Sequence, residues 1–327
     1  MMVSVINRIR DKAASKNKKI ILPETGDPRV LRAGSYLCNE KICEVIFIGE
    51  QNEIVKTAKE EGIVLPKELS FFNSKEIDKT LVDYLYERRK HKGISREKAE
   101  DALKDPLYLG GALVAKEEAD GCVAGSIATT GEVIRAAIHT IGLREGTGIV
   151  SSTFLMVLKD GKVLTYADCG VVPYPDRDQL ADIAIESSRT HRILTGEEPM
   201  VAMLSFSTKG SAEHERIQVV TNALRIIRNK KPDLPIDGEL QFDAAFVPDV
   251  AERKAPRSEV AGKANVFIFP NLDAGNIAYK ITERLAGASA TGPILQGLAK
   301  PMMDLSRGCS WQDIVNAACV SILMSDS

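Results

Sequence analysis

The stretch DLSRGCSWQDIV, residues 304–315, gathers Ser306, Arg307, Cys309 and Asp313 directly ahead of an apolar run of Ile314, Val315, Ala317, Ala318, Val320 and Ile322. A carboxylate near a guanidinium and a hydroxyl can do general-base chemistry: the carboxylate takes a proton, the cation holds negative charge, and the hydroxyl donates at a reacting oxygen. The same residues have a structural use. Ser310 and Asp313 form S-x-x-D, a variant of the capping box, in which a carboxylate at the third helical position is normally ionised. The two uses do not exclude each other. Cys309, beside an arginine and a helix start, is a candidate nucleophile for a covalent acyl route, but no histidine stands close in sequence to act as its base.

Two further loops have the composition of anion sites. AGSIATTGEV (124–133) and LSFSTKGSAEHE (204–215) follow apolar runs, precede helical patterns, and offer backbone N–H groups, hydroxyls and a positive helix end. Thr130 and Ser207 are the phosphate contacts expected from this loop argument; plain N-capping explains the same residues. ERRKHKG (87–93) is either a solvated helix end, with cations before a glycine C-cap, or a phosphate-recognising patch in which Arg88 and Arg89 are the better forks. DGELQFDAA (237–245) carries Asp237, Glu239 and Asp243. No second acidic cluster converges with them, so no metal is expected, and Glu239 and Asp243 fit the first turns of a helix.

These residues must be positioned by an α/β framework. KKIILPE and EVIFIGE read as strands, NEIVKTAKEEG as a helix, and DGCVAGS as a buried strand; TGEVIRAAIHTIG places Val133, Ile134, Ala137, Ile138 and Ile141 at helical spacing. PMVAMLSFSTKG runs into SAEHERIQVVTNALRIIRNKK, with a stripe of Ile217, Val220, Leu224 and Ile227. KANVFIFPNLDAGNIAYKITERLAG repeats the order, with Ile277, Ile281 and Leu285 facing one way. Such alternation predicts a mostly parallel sheet. Residues 148–176 break it, because two β-rich runs flank Asp160-Gly161, a hairpin signal; a domain boundary is expected just before them.

Composition narrows the function. The chain has 327 residues, 44% hydrophobic and 27% charged, which suits a soluble globular protein of two domains. A formal net charge of −2 favours neither nucleic acid nor a membrane surface, so any anionic ligand must meet a local patch. Six dispersed cysteines without C-x-x-C suggest reduced thiols in a cytoplasm, and no signal peptide or membrane span is evident. The G-x-G-x-x-G, P-loop, H-E-x-x-H and G-x-S-x-G patterns are absent, which weighs against nicotinamide, nucleotide triphosphate, zinc-hydrolase and serine-hydrolase chemistry.

Taken together, LPE (22–24), YERRKHKG, MLSFSTKGSA, IDGELQFDAA, KANVFIFPNLDAGNIAYKITERLAGA and GPILQGLAKPMMDLSRGCSWQDIV resemble the phosphate acetyltransferase (phosphotransacetylase) family. The resemblance implies reversible acetyl transfer between coenzyme A and inorganic phosphate. It implies two α/β/α domains of isocitrate/isopropylmalate dehydrogenase-like fold with the active site in the cleft between them, here residues 1–146 plus 296–327 and residues 147–295, and a homodimer. By this resemblance Asp313 is the base toward the coenzyme A thiol, Arg307 binds acetyl phosphate, Ser306 assists at the reacting carbonyl, and Arg89 and Arg135 contact coenzyme A. Arg88 stands where the family often has an uncharged residue. Coenzyme A, acetyl-CoA, acetyl phosphate and phosphate are then the partners, with coenzyme A a substrate and no tightly bound cofactor. The alternatives are a phosphate butyryltransferase-type enzyme and a non-catalytic acetyl-CoA-sensing domain.

A free thiol near pKa 8.5 and an aspartate near 3.9 differ by about 4.6 units, so complete proton transfer costs roughly 6 kcal/mol. Desolvation of Asp313, or stabilisation of the thiolate by Arg307 and the helix end, must offset this.

Overall fold

The fold is given by a computed structural model that describes residues 5–73, 75 and 77–326. The chain divides into two compact units, one comprising Ile6–Glu145 and Leu298–Ser327, the other built on Gly146–Gly297.

The first unit begins with α1 (Val5–Ala14), β1 (Lys19–Leu22), α2 (Pro28–Asn39), β2 (Glu44–Ile48), α3 (Gln51–Glu60) and β3 (Ser70–Phe72). It continues through α4 (Lys79–Arg89), α5 (Arg96–Leu103), α6 (Pro106–Ala115), β4 (Gly121–Ala124) and α7 (Thr130–Thr140). The chain then builds the other unit: β5 (Ser151–Val157), β6 (Val163–Ala167), α8 (Arg177–Thr195), β7 (Val201–Leu204), α9 (Glu215–Lys230), β8 (Ile236–Leu240), α10 (Phe242–Phe246), α11 (Pro248–Lys254), β9 (Val266–Ile268), α12 (Leu272–Ala286) and β10 (Ser289–Gln296). β11 (Met302–Asp304) and α13 (Trp311–Ser325) return to the first unit.

In the first unit the strands run in the order β11-β4-β1-β2-β3, all parallel. Ile20, Ile21 and Leu22 are fully buried, as a parallel strand covered on both faces requires. The register sets Asp304 opposite Ala124 and Cys122 opposite Ile21, so the loops after β11, β4 and β1 leave from one edge of the sheet. That edge, at the carboxyl ends of parallel strands, is where α/β proteins place ligands.

The other unit holds a mixed sheet, β10-β5-β6-β9-β7-β8, antiparallel across β10, β5 and β6 and parallel from β6 to β8. The hairpin expected at Asp160-Gly161 is present: Val157 pairs with Val163, and Leu158 N–H donates to Lys162 O at 2.9 Å. One core cluster gathers Phe154, Tyr166, Leu240 and Phe267, the other Ile183, Val201, Val220 and Ile268.

One local expectation needs revision. Glu239 lies on β8, not in a helix; only Asp243 falls in the first turn of α10. α9 starts at Glu215, where the loop read at 204–215 gives way to the stripe that begins at Ile217, and within that loop Ser211 Oγ accepts from Thr208 N–H while Ser211 N–H donates to Thr208 O, closing a turn. The stripe on α12 faces outward, with Ile277, Ile281 and Leu285 exposed by 57%, 51% and 83%, while Ala274, Ala278 and Tyr279 pack inward. Among the described residues, no helix is long and apolar enough to cross a membrane.

Candidate active site

α13 explains the polarity of residues 304–315. Its buried Ile314, Val315, Val320 and Ile322 anchor it, each contributing about 1.5 to 3 kcal/mol, with Ala318 packed among them. The Arg10 guanidinium also donates to Asn316 Oδ1 at 3.0 and 2.8 Å, tying α1 to α13. At its start the capping box is complete. Asp313 Oδ2 accepts from both the N–H and the hydroxyl of Ser310 at 2.8 Å, and Asp313 N–H donates to Ser310 Oγ at 3.2 Å. Both bonds to the carboxylate fall on one oxygen, and Asp313 is exposed.

The preceding turn is held by an arginine that the sequence did not single out. Arg29, near the start of α2, donates through Nη1 to Arg307 O at 2.9 Å and Cys309 O at 2.7 Å. Through Nη2 it donates to Asp27 at 2.7 Å and to Ser126 O at 3.1 Å. Burial pushes the Asp27 carboxyl up, but the bonds from Arg29 outweigh it and hold the group below its usual range. With the backbone fixed, Ser306 and Arg307 are exposed, and the Arg307 guanidinium has no hydrogen bond or ion pair among the described residues. Cys309 is buried, and burial raises its thiol pKa despite Arg29 nearby, which disfavours a thiolate nucleophile.

The loop after β4 has the N–H groups expected of an anion cradle, and the protein fills the cradle itself. Glu24, following β1, is buried. Its Oε2 accepts from Gly125 N–H, Ser126 N–H and Ser126 Oγ at 2.7, 2.8 and 3.0 Å, and Oε1 from Ile127 and Ala128 N–H at 3.1 and 2.7 Å. Gly125 has φ +104°, and a Cβ there would lie 2.5 Å from Asp304 Oδ1, so this position needs glycine. Thr129 and Glu132 then form the capping box of α7. The Glu132 carboxyl is held below its usual range first by its bonds with Thr129, then by the charges of Arg135 and Arg307. The Thr130 hydroxyl bonds Asp304 Oδ2 at 2.6 Å. Asp304 is buried, and burial, aided by the charge of Glu24, pushes it up to about 6.

α4 and α7 bring the basic residues together. Arg89 Nη2 donates to His139 Nε2 at 3.0 Å, so His139 carries its proton on Nδ1 and donates to the Tyr108 hydroxyl at 2.9 Å. Burial, then the charges of Arg89 and Arg135, keep His139 below its usual pKa and therefore neutral. Arg135 is exposed one turn before His139. Arg88 is structural: its Nε donates to His139 O at 3.2 Å, and its guanidinium packs on Gly142, where a Cβ would lie 1.6 Å from Nη2.

Ser207 belongs to the other unit and is also tied down. Its hydroxyl donates to Glu239 Oε1 at 2.9 Å and accepts from Ala212 N–H at 3.2 Å; Glu239 Oε1 takes Gly210 N–H at 2.7 Å as well. Nearby, a cavity of about 830 Å³ is lined by Lys209, Arg228, Lys254 and Arg257, but Asp237 pairs with Lys209 and Arg228, and Asp243 with Lys254. Among the described residues, no group of His, Cys, Asp and Glu is arranged to hold a metal ion.

An exposed arginine with an unpaired guanidinium, an adjacent hydroxyl and a carboxylate at a helix start equip this edge for acyl or phosphoryl chemistry. The Phosphate acetyl/butaryl transferase family model matches residues 4–322. A phosphate acetyltransferase of Acetivibrio thermocellus is 46% identical over 99% of this chain and 98% of its own. A phosphotransacetylase structure from Streptococcus pyogenes, 40% identical, superposes with TM-score 0.94 over 98% of each chain. A 4-hydroxythreonine-4-phosphate dehydrogenase structure from Salmonella typhimurium, 13% identical with TM-score 0.52 over 95% of this chain and 100% of its own, shares the fold alone. The chain belongs to the phosphate acetyl/butaryl transferase family.

Proposed function

We propose that this acyltransferase, which moves an acetyl group reversibly between coenzyme A and phosphate, works by direct attack of the coenzyme A thiolate on acetyl phosphate in a ternary complex. Asp313 is the base, Arg307 holds the acyl phosphate, and Ser306 donates at the reacting carbonyl. The observation that carries this is the unpaired Arg307 guanidinium on a turn whose backbone is pinned by Arg29. A cation held this way can meet phosphoryl charge without first breaking a bond to the protein. Thr130 is the further phosphate contact; the Ser207 hydroxyl is buried and already donates to Glu239, so it is not available to a phosphate.

Arg89 and Arg135, gathered around neutral His139, supply the positive charge for coenzyme A that the net charge of the chain does not. Replacing either with Gln should raise the KM for coenzyme A more than that for acetyl phosphate, and desulfo-coenzyme A should weaken in parallel as an inhibitor. Unchanged inhibitor affinity in both variants would return ERRKHK to a solvated helix end.

The mechanism is tested by initial rates with coenzyme A varied at several acetyl phosphate concentrations. Intersecting lines are expected, and Cys309→Ala should keep turnover within about tenfold, because the thiol is buried with a raised pKa and its polar contact is a long 4.0 Å approach from Arg29 Nη1. Parallel lines with an acetyl group trapped on Cys309 would overturn direct transfer.

The working form is a homodimer, supported by the exposed Ile277, Ile281 and Leu285 on α12. A cytoplasmic setting is supported by six cysteines, all free.

A further inference from the structure

Two acidic groups sit side by side at the carboxyl edge of the first unit's sheet, and the protein treats them oppositely. Glu24 receives backbone N–H groups from Gly125, Ser126, Ile127 and Ala128 and the Ser126 hydroxyl, so both its oxygens are well supplied with donors. Asp304, 2% exposed, has one short bond, between Oδ2 and Thr130 Oγ1 at 2.6 Å. Its Oδ1 is buried with no hydrogen-bond partner among the described residues, and the adjacent Leu305 N–H already donates to Ala124 O at 2.8 Å. A buried carboxylate so poorly served is costly, whereas a neutral acid tolerates the same surroundings and can donate the short bond.

We propose that Asp304 is a positioning residue for acyl transfer: as the neutral acid it donates from Oδ2 to Thr130 Oγ1, which turns the Thr130 hydroxyl proton toward the phosphoryl oxygen of the acyl phosphate. The inference rests on Thr130 being a phosphate contact. When Asp304 is ionised, the direction reverses. The Thr130 proton is drawn to the carboxylate, and a lone pair faces the ligand instead. Asp304 ends the strand that leads into Ser306 and Arg307, and Thr130 opens the helix that carries Arg135, so one proton adjusts the edge where the phosphate-binding groups meet.

The groups facing Asp304 are Glu24 from the loop after β1, Thr130 from α7, and the backbone at Gly125 and Leu305. Glu24 opposes ionisation by like charge, burial opposes it more, and the titration is centred at about 6. The neutral acid therefore dominates below that value, and its hold on Thr130 is lost as pH rises through it. A bound acyl phosphate adds negative charge and shifts the balance back toward the neutral acid.

The test compares kcat/KM for acetyl phosphate against pH in the intact enzyme and in Asp304→Asn, whose amide donates to Thr130 at any pH. On the acid side of pH 6 the two should agree within about threefold; two units above it, the variant should exceed the wild type by about tenfold, the value of one hydrogen bond to a charged group. Thr130→Val should raise the KM for acetyl phosphate and abolish the pH-dependent part, Thr130→Ser should keep both, and the pair Thr130→Val with Asp304→Asn should match Thr130→Val alone. Parallel profiles for wild type and Asp304→Asn, with Thr130→Val still impaired, would overturn the role of Asp304 and leave the phosphate contact standing. An unchanged KM in Thr130→Val would overturn the contact and the inference with it. Should Asp304→Asn fail to fold, the half-buried Thr130 variants still decide, because a wild-type pH dependence that survives in Thr130→Val rules the relay out.

Discussion

Arg307→Ala should lower turnover by about 10²- to 10³-fold, or about 3 to 4 kcal/mol of transition-state stabilisation, without lowering the melting temperature. The separation of the two effects follows from how the residue is held. Arg29 grips the carbonyl of Arg307, which alanine retains, while the lost guanidinium makes no hydrogen bond or ion pair among the described residues. Stability should therefore be indifferent and catalysis should not. Lysine should restore only part of the rate, since an ammonium offers a point charge where a fork is needed. The measurement is kcat beside a thermal melt; a kcat within threefold of wild type would remove Arg307 from the mechanism.

Asp313→Asn should lower turnover by roughly two to four orders of magnitude while the protein stays folded. Here the geometry separates a base from a cap. Both capping bonds reach one carboxylate oxygen, and an asparagine side-chain oxygen can accept the same two bonds from Ser310. The variant should keep most of the cap, whose complete loss costs about 1 kcal/mol, and lose the proton acceptor. If turnover is retained and only stability moves, Asp313 caps α13 and does nothing more.

The framework was largely legible, because apolar period and strand length are local properties. KKIILPE, EVIFIGE, DGCVAGS and the Asp160-Gly161 hairpin all became the elements they suggested. The capping box of Ser310 and Asp313 was legible for the same reason, since its donors and acceptors lie within one turn. The rest depends on pairings distant in sequence. Nothing in LPE announces that Glu24 will face residues 125–128; that follows from β1 lying beside β4. Arg88 and Arg89 look interchangeable in a sequence, but consecutive helical positions point about 100° apart, and only one of them reaches the His139 ring. Arg29 and Asp304 escaped notice because their roles arise from burial and from backbone carbonyls, which residue type does not encode.

The carboxylate of Glu24 occupies a backbone cradle of the kind that many α/β proteins leave open for phosphate. A cradle of fixed N–H groups measures its ligand, because its donors cannot follow a change in radius or tilt. With that cradle closed from within, recognition of the phosphoryl group falls to guanidinium and hydroxyl arms, which adapt more readily than they discriminate. Selectivity among tetrahedral anions should therefore be loose at binding and imposed at the chemical step, where only an anion that leaves an acyl group well is turned over.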